Sequence, residues 1–506
     1  MTTIRTRQPA HRAETTGADV VIVGAGSAGG ALAARLSQDP SRSVLLLDAG
    51  VDFGPAGESQ PPAVADAFDS SARATYGWEY AGTATALGRS VPVHAGRIVG
   101  GSSAINSVMA LRGHRAVYDG WAAAGCSGWS FDDVLPAFRR LEHDQDFHDN
   151  SHGTRGPVPI RRYPELSRSQ QAFLEACKAA GHTPVPDHNA PGAVGAGRLP
   201  VNELDGLRES TALTYLAHAR DRPNLTIRGE SAVDRILLHG GDATGVILAD
   251  GKQITADTVV LAAGAVGTPA ILLRSGIGPA DDLSALSIPV EAHLPGVGAN
   301  LQDHPLLRVG FVARAEPQLP PRQTLLTTHT QPGLTPPDLQ VFPSGPVAGN
   351  GAPTLALLIA LLTPISRGTL RLSGPEPDMP LRIEPGYLAH PDDLPRLVAG
   401  VRLARTLARS APLAEHLAEE AWSGAGVTDD DDLGGAVRAN LVPYHHYVGT
   451  CRMGPAHDPE AVVDATGRVH STSSLWIVDA SIMPTIPTAN TNLATLMIAE
   501  HLAMTI

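Results

Sequence analysis

Residues 443–454 read PYHHYVGTCRMG, with two adjacent histidines, His445 and His446, followed by a lone cysteine, Cys451. Three chemistries fit those residue types. Imidazole and thiolate ligate metals, a thiol beside a histidine is a nucleophile with its base, and a histidine alone accepts protons near neutral pH for a cofactor held elsewhere. Choosing among them requires the elements that position the stretch.

At the other end of the chain, ADVVIVGAGSAGGALAARLSQDPSRSVLLLDAG (18–50) has the pattern of strand, glycine turn, helix and strand. Gly24, Gly26 and Gly29 form G-x-G-x-x-G directly after an apolar β-branched run, and Asp48 ends the second strand. Gly24 permits the tight turn, Gly26 lets backbone approach a pyrophosphate, and Gly29 lets helix and strand pack closely. The helix N-terminus, with Ser27 and Ala28, faces the phosphates, and Asp48 accepts from a ribose diol. The frame predicts a dinucleotide without separating FAD from NAD.

Further on, TVVLAAGAVGTPAILLRSGIGP (258–279) predicts a buried strand, a small-residue turn and a helix stopped by glycine. SLWIVDASIMPTIPTANTNLATLMIAEHLA (474–503) repeats the plan, its strand ending at Asp479 and a long apolar helix closing the chain. Residues 313–353 are proline-rich and predicted to be irregular, 355–374 alternate as strands do, and 393–421 have helical character. The acidic run Asp429–Asp432 fits a solvated helix start or loop. The dinucleotide fold is thus assembled from separated pieces with another unit inserted between them.

The composition narrows the partners. Of 506 residues 43% are apolar and 18% charged, enough for a large core in more than one unit. A net charge of −13 argues against nucleic acid and is compatible with small or cationic substrates. Cys126, Cys177 and Cys451 are far apart and odd in number, so no disulfide framework is expected. The first eighteen residues lack an apolar run, and no stretch has the roughly 18 apolar residues of a membrane helix. A cytoplasmic protein without a membrane span is the expectation.

Taken together the motifs resemble the glucose–methanol–choline (GMC) flavin oxidoreductases. GRIVGGSSAINSVMALRGHRAVYD (96–119) and GAVGTPAILLRSGIG (264–278) match that family's two signatures. The G-x-G-x-x-G, NLQDHP (300–305), TPISRGTLRL, H-x-x-G-T-C-R-M-G and an asparagine-rich terminal turn follow in the family's order. The resemblance runs from about 18 to 503. It implies an α/β protein (α+β overall), with a Rossmann-like FAD-binding domain at 18–156, 200–300 and 441–506. A substrate domain at 157–199 and 301–440 is implied to be an antiparallel sheet with covering helices.

FAD is the implied cofactor, held by Gly24, Gly26, Ser27, Ala28, Gly29, Asp48, Ala49, Val99, Gly100, Gly101, Ser103, Asn106, Val233, Asp479, Ala480, Thr491 and Asn492. Ile105 stands where some members carry a histidine bonded covalently to the flavin, so non-covalent FAD is expected. Asp48 replaces the family's usual glutamate. Val233 is implied to meet the adenine through its backbone.

The resemblance also answers the opening question. His446 falls at the family's catalytic histidine and Asn490 at its second catalytic position. An alcohol must lose its hydroxyl proton while its carbon passes a hydride to flavin N5. His446 would be the base, and Asn490 would hold the same oxygen. Amides at the start of the closing helix, near Thr491–Asn492, would face the flavin N1/C2=O edge and stabilise the charge that reduction places there. No metal is implied, because strand neighbours such as His445 and His446 point apart. His304 fits a structural role, bonding a loop over the FAD. Oxygen, a quinone or a protein acceptor would take the electrons. The inserted unit has few aromatics and many small polar residues, which points to a polar alcohol such as a sugar, an aminoglycoside or another natural product. A few relatives instead perform non-redox cyanohydrin cleavage or light-driven decarboxylation, which an intact His446/Asn490 pair disfavours.

Overall fold

The computed structural model describes residues 17–55, 59–348, 352–422 and 424–506. Its first sheet has seven strands. The apolar runs Val44–Leu47, Gly17–Val23, Leu225–Arg228 and Leu475–Ile477 lie parallel with the upper half of Gln253–Leu261. The lower half of Gln253–Leu261 pairs antiparallel with Asp242–Leu248. Parallel strands need cover on both faces, which is why they read as continuous Val, Ile and Leu. Among the buried residues packed with them are those of the helices Ser27–Leu36, Gly264–Arg274 and Thr491–Leu502. All the parallel strands end on one edge, where Gly24, Asp48 and Asp479 follow, and ligands of open α/β sheets bind at such an edge.

A second, eight-stranded sheet is mostly antiparallel, running Leu417–Glu420, Pro305–Ala313, Thr354–Leu361, Leu339–Val347, Thr324–Thr328, Gly195–Arg198 and Pro184–Val185, with Val442–Pro443 added beside Pro305–Ala313. Its strands alternate. Leu307, Val309, Leu326, Val341, Leu355, Leu357 and Ile359 pack under the helices Arg168–Ala179, Asp393–Arg409 and Asp430–Asn440. Leu325, Phe342 and Leu358 face the other way and pack with Met109, Tyr163, Ala489 and Tyr444. The sheet therefore divides a helical layer from the site.

Two expectations from sequence are corrected. The 313–353 region is not irregular throughout, for it carries the strands Thr324–Thr328 and Leu339–Val347. Pro343 and Pro346 are tolerated because Thr324–Thr328 pairs only with residues 339–341, so the missing N–H groups lie beyond that pairing. Helix does not extend over 393–421 either. It stops at Arg409, resumes for Ala411–Ala414, and gives way to the edge strand Leu417–Glu420. There Arg405 binds Glu420.

The second half of the 96–119 signature contributes Arg112 to a buried ionic cluster. Arg112 pairs with Glu142, and Arg162 with Asp144 and Asp187 at 2.6 Å each. Burial alone would lower the His152 pKa, but Asp144, Asp187 and Glu142 around it push it up to about 11. Glu142, Asp144 and His152 come together as metal ligands do. Two guanidinium groups and an imidazolium already neutralise them. No helix among the described residues is long and apolar enough to cross a membrane.

Candidate active site

The PYHHYVGT segment is bent around one carboxylate. The backbone N–H groups of Tyr444, His445 and His446 all donate to Asp303, at 3.1, 3.2 and 2.6 Å, and the Tyr387 hydroxyl adds a fourth bond. Burial pushes the Asp303 pKa up to about 6 against the pull of these donors. Converging three successive amides requires a turn, and His445 takes a left-handed backbone, φ +65°. Its ring packs on His94 at 4.6 Å and accepts from the His94 N–H at 3.5 Å. His445 does turn away from His446, but through this turn rather than through strand alternation.

His446 points inward, 9% exposed. Its Nδ1 lies 2.9 Å from Nδ1 of His304, whose Nε2 lies 3.1 Å from the Leu362 carbonyl. A carbonyl only accepts, so the His304 proton is on Nε2. Burial pushes the His304 pKa down to about 3, so the ring is neutral and its Nδ1 carries a lone pair. His446 must then donate from Nδ1, which leaves its Nε2 as a lone pair. Burial above all, with the charge of Arg73 adding to it, holds the His446 pKa well below the usual histidine value. Beyond its bond to the Leu362 carbonyl, His304 is fully buried against His446 itself.

Asn490 occupies the N-cap of the helix Thr491–Leu502, where asparagine side chains usually bond the first helical amides. Here the side chain makes no such bond. Its Nδ2 instead lies 3.2 Å from His446 Nε2 and 3.4 Å from the Tyr444 hydroxyl, and its Oδ1 is buried without a partner. Tyr444 lies 4.0 Å from the His446 ring and stacks at 6.1 Å on Phe342 of the second sheet. Met109 sits 3.5 Å from that hydroxyl and 3.6 Å from Asn490 Nδ2.

The expected cofactor residues line the edge of the parallel sheet. Gly24 has φ +101°, and a Cβ on it would meet the Ala262 carbonyl at 2.5 Å. A Cβ on Gly29 would strike the Gly24 carbonyl at 1.8 Å, and one on Gly101 would meet Cα of Gly26 at 2.5 Å. Only glycines leave backbone amides bare on both walls of such a cleft, as a pyrophosphate requires. Ser27 and Asn492 join the N-termini of their helices through a 2.8 Å bond, and Thr491 lies beside them. Ala28 is buried in the first helix, and Ala49 follows Asp48.

Asp48 accepts from Ala25 and Gly50 amides, and burial pushes its pKa up to about 6. The Asp48 carbonyl accepts from Ser231 N–H at 2.7 Å, which brings Val233 to the same edge. Gly100 donates to the Ala25 carbonyl and Val99 to that of Val51. The side chains of Ser103, Asn106 and Asp479 are engaged within the protein, on Gly100 and Thr211, on Val108, and on Gly264, Thr268 and Ser481. Their part toward a ligand falls to backbone and to Ala480 beside Asp479. The cradle fits a dinucleotide.

Residues 16–306 match the family model of the GMC oxidoreductase N-terminal domain and 364–499 that of its C-terminal domain. The chain belongs to the GMC oxidoreductase family. A 5-(hydroxymethyl)furfural oxidase from Methylovorus is 37% identical, covering 96% of this chain and 98% of its own. The mitochondrial choline dehydrogenase of Mus musculus is 35% identical over 96% and 88%. The crystal structure of a pyridoxine 4-oxidase superposes with a TM-score of 0.89 at 33% identity, covering 97% and 99%. This GMC protein is accordingly an FAD-using oxidoreductase of alcohols.

Asp303, His304, Tyr387 and Tyr444 escaped sequence reasoning as site residues. Asp303 and His304 were visible in NLQDHP, but their contact with 444–446 arises because Gln302 bridges Val448 and Pro305 pairs with Pro443. No local pattern encodes that pairing.

Proposed function

We propose that the protein oxidises a primary or secondary alcohol to the aldehyde or ketone, with His446 as base and Asn490 as the partner of the reacting oxygen. One observation carries this reading. His446 Nε2, an acceptor, and Asn490 Nδ2, a donor, lie 3.2 Å apart on one side of the site. A hydroxyl both donates and accepts, so an oxygen seated within reach of both gives its proton to Nε2 and accepts from Nδ2. As the proton moves to Nε2, the Asn490 amide stays on the developing alkoxide, and His304 bears the polarity of the His446 ring.

FAD bound in the glycine cradle supplies the hydride acceptor. Asp48 would hold its ribose, Gly24, Gly26, Gly29, Gly100 and Gly101 its pyrophosphate. The helix opening at Thr491–Asn492 would place a positive dipole end toward it. Ile105 offers no nucleophile for a covalent link, so FAD is held non-covalently. In this reading the parts 18–156, 200–300 and 441–506 form the FAD domain, and 157–199 with 301–440 the substrate domain. Oxygen or a redox acceptor then reoxidises the cofactor.

Anaerobic titration of the holoprotein with a panel of alcohols tests the reaction through bleaching of the flavin bands. Substituting His446→Ala should slow that bleaching by about 10²–10⁴, the usual contribution of a positioned base. Turnover within tenfold of wild type would show that the proton goes elsewhere.

A further inference from the structure

Alternation in the eight-stranded sheet places a charge on the face turned to the site. Arg308 pairs in register with Leu358, and Leu358 with Phe342, so the three share that face. Phe342 carries Tyr444, and Tyr444 carries His446. Arg308 is exposed at the rim of this face. Arg322, two residues before the strand Thr324–Thr328, is half-buried and acts through its charge on the Tyr444 phenol, as does Arg73. After burial, the strongest influences on Arg322 are Tyr444, Arg73, Arg308 and Tyr163, none of them a carboxylate.

Interior arginines elsewhere are engaged: Arg208, buried, donates to the Val64, Asp66 and Asp69 carbonyls. Arg112, Arg162, Arg396 and Arg405 each meet a carboxylate. Arg73 spends its donors on the Ile105 carbonyl and the Ser107 hydroxyl. Among the described residues the side chains of Arg308 and Arg322 make no hydrogen bond or ion pair. A half-buried guanidinium facing two others without an anion is costly in the free protein. The cost is offset when a ligand brings the missing charge, and a guanidinium fork matches an oxyanion in two parallel bonds.

Resting on the alcohol-oxidation reading, we propose that Arg322, with the exposed Arg308, seats an anionic group of the substrate beside Tyr444. The substrate class is an alcohol whose carbinol is joined through a short apolar body to an oxyanion, a carboxylate being the simplest. Met109, Leu325, Phe342 and Leu358 supply apolar surface for that body. This reverses the cationic substrate that a net charge of −13 suggested. Distant surface charges are screened beyond about 8 Å at physiological ionic strength, so the nearby arginines decide.

The test uses the holoprotein and three probes of one shape: 4-(hydroxymethyl)benzoate, its methyl ester, and 4-methylbenzyl alcohol. Anaerobic flavin reduction should show kcat/KM at least about tenfold higher for the carboxylate, as a charge-assisted contact gives. R322M should erase that preference and R322E invert it. Benzoate, which has no carbinol, should perturb the flavin spectrum of the wild type and bind at least tenfold more weakly to R322M. Equal or faster reduction by the neutral probes, or an R322M protein that still discriminates, overturns the seat, as does benzoate that leaves the wild-type spectrum unchanged. If no alcohol of any charge bleaches the flavin while benzoate binds through Arg322, the seat stands and the proposed reaction fails.

Discussion

Replacing His304 by alanine isolates what the buried histidine pair contributes. The change removes the acceptor 2.9 Å from His446 Nδ1 and leaves that N–H unpartnered in a fully buried position. A buried donor without a partner costs about 1–3 kcal/mol, and His446 can avoid it by moving its proton to Nε2, where the base must be. At 1.36 kcal/mol per tenfold, flavin reduction in H304A should slow by about 5- to 150-fold. The assay is anaerobic stopped-flow reduction at saturating alcohol, with flavin content matched to wild type.

A second readout separates positioning from packing. His304 is neutral and accepts from His446 Nδ1–H, a bond that strengthens when His446 takes up a proton, so its removal lowers the His446 pKa further. Neutral His446 is the active form, and a lowered pKa means the base survives further acidification. The acid limb of the kcat/KM profile should therefore move to lower pH in H304A. H304N, which returns an acceptor oxygen near the old Nδ1, should recover part of the rate. A rate within threefold of wild type with an unmoved acid limb would refute the tautomer argument.

Two further outcomes follow from buried charges. Asp48, with its pKa pushed up to about 6, binds a ribose diol only as the carboxylate, so FAD retention should fall as pH drops from 7 through 6. D48N should abolish that pH dependence and weaken FAD by about tenfold or more, as loss of a charged hydrogen bond does; ultrafiltration with flavin fluorescence measures both, and acid precipitation should release unmodified FAD. In the ionic cluster, R112M takes from buried Glu142 its guanidinium partner, leaving only His152 at 3.4 Å as a charged neighbour, and should lower the unfolding free energy by about 3 kcal/mol, read from the shift of the urea midpoint at unchanged slope.

The chain itself determined the parallel core. Continuous apolar runs at 20–23, 44–47 and 259–261 can only be covered on both faces, and the glycine offsets between them allow few backbone paths. His446 and Asn490 were legible as a pair only because the motifs around them lie in a known order. The 313–353 strands were hidden because proline is penalised by local rules, whereas its cost depends on whether a neighbouring strand needs the missing N–H.

What the tertiary structure alone decided is how the site is charged and polarised. Asp303 gathers three amides from residues about 140 positions away, His304 sets the proton on His446, and Asn490 forgoes capping its own helix to face Nε2. Arg308 and Arg322 look like ordinary surface arginines in the sequence. Whether such a group finds a carboxylate depends on what the sheet register brings opposite it. Hydrophobic period is a property of neighbours along the chain; hydrogen-bond partners and charge balance belong to neighbours in space.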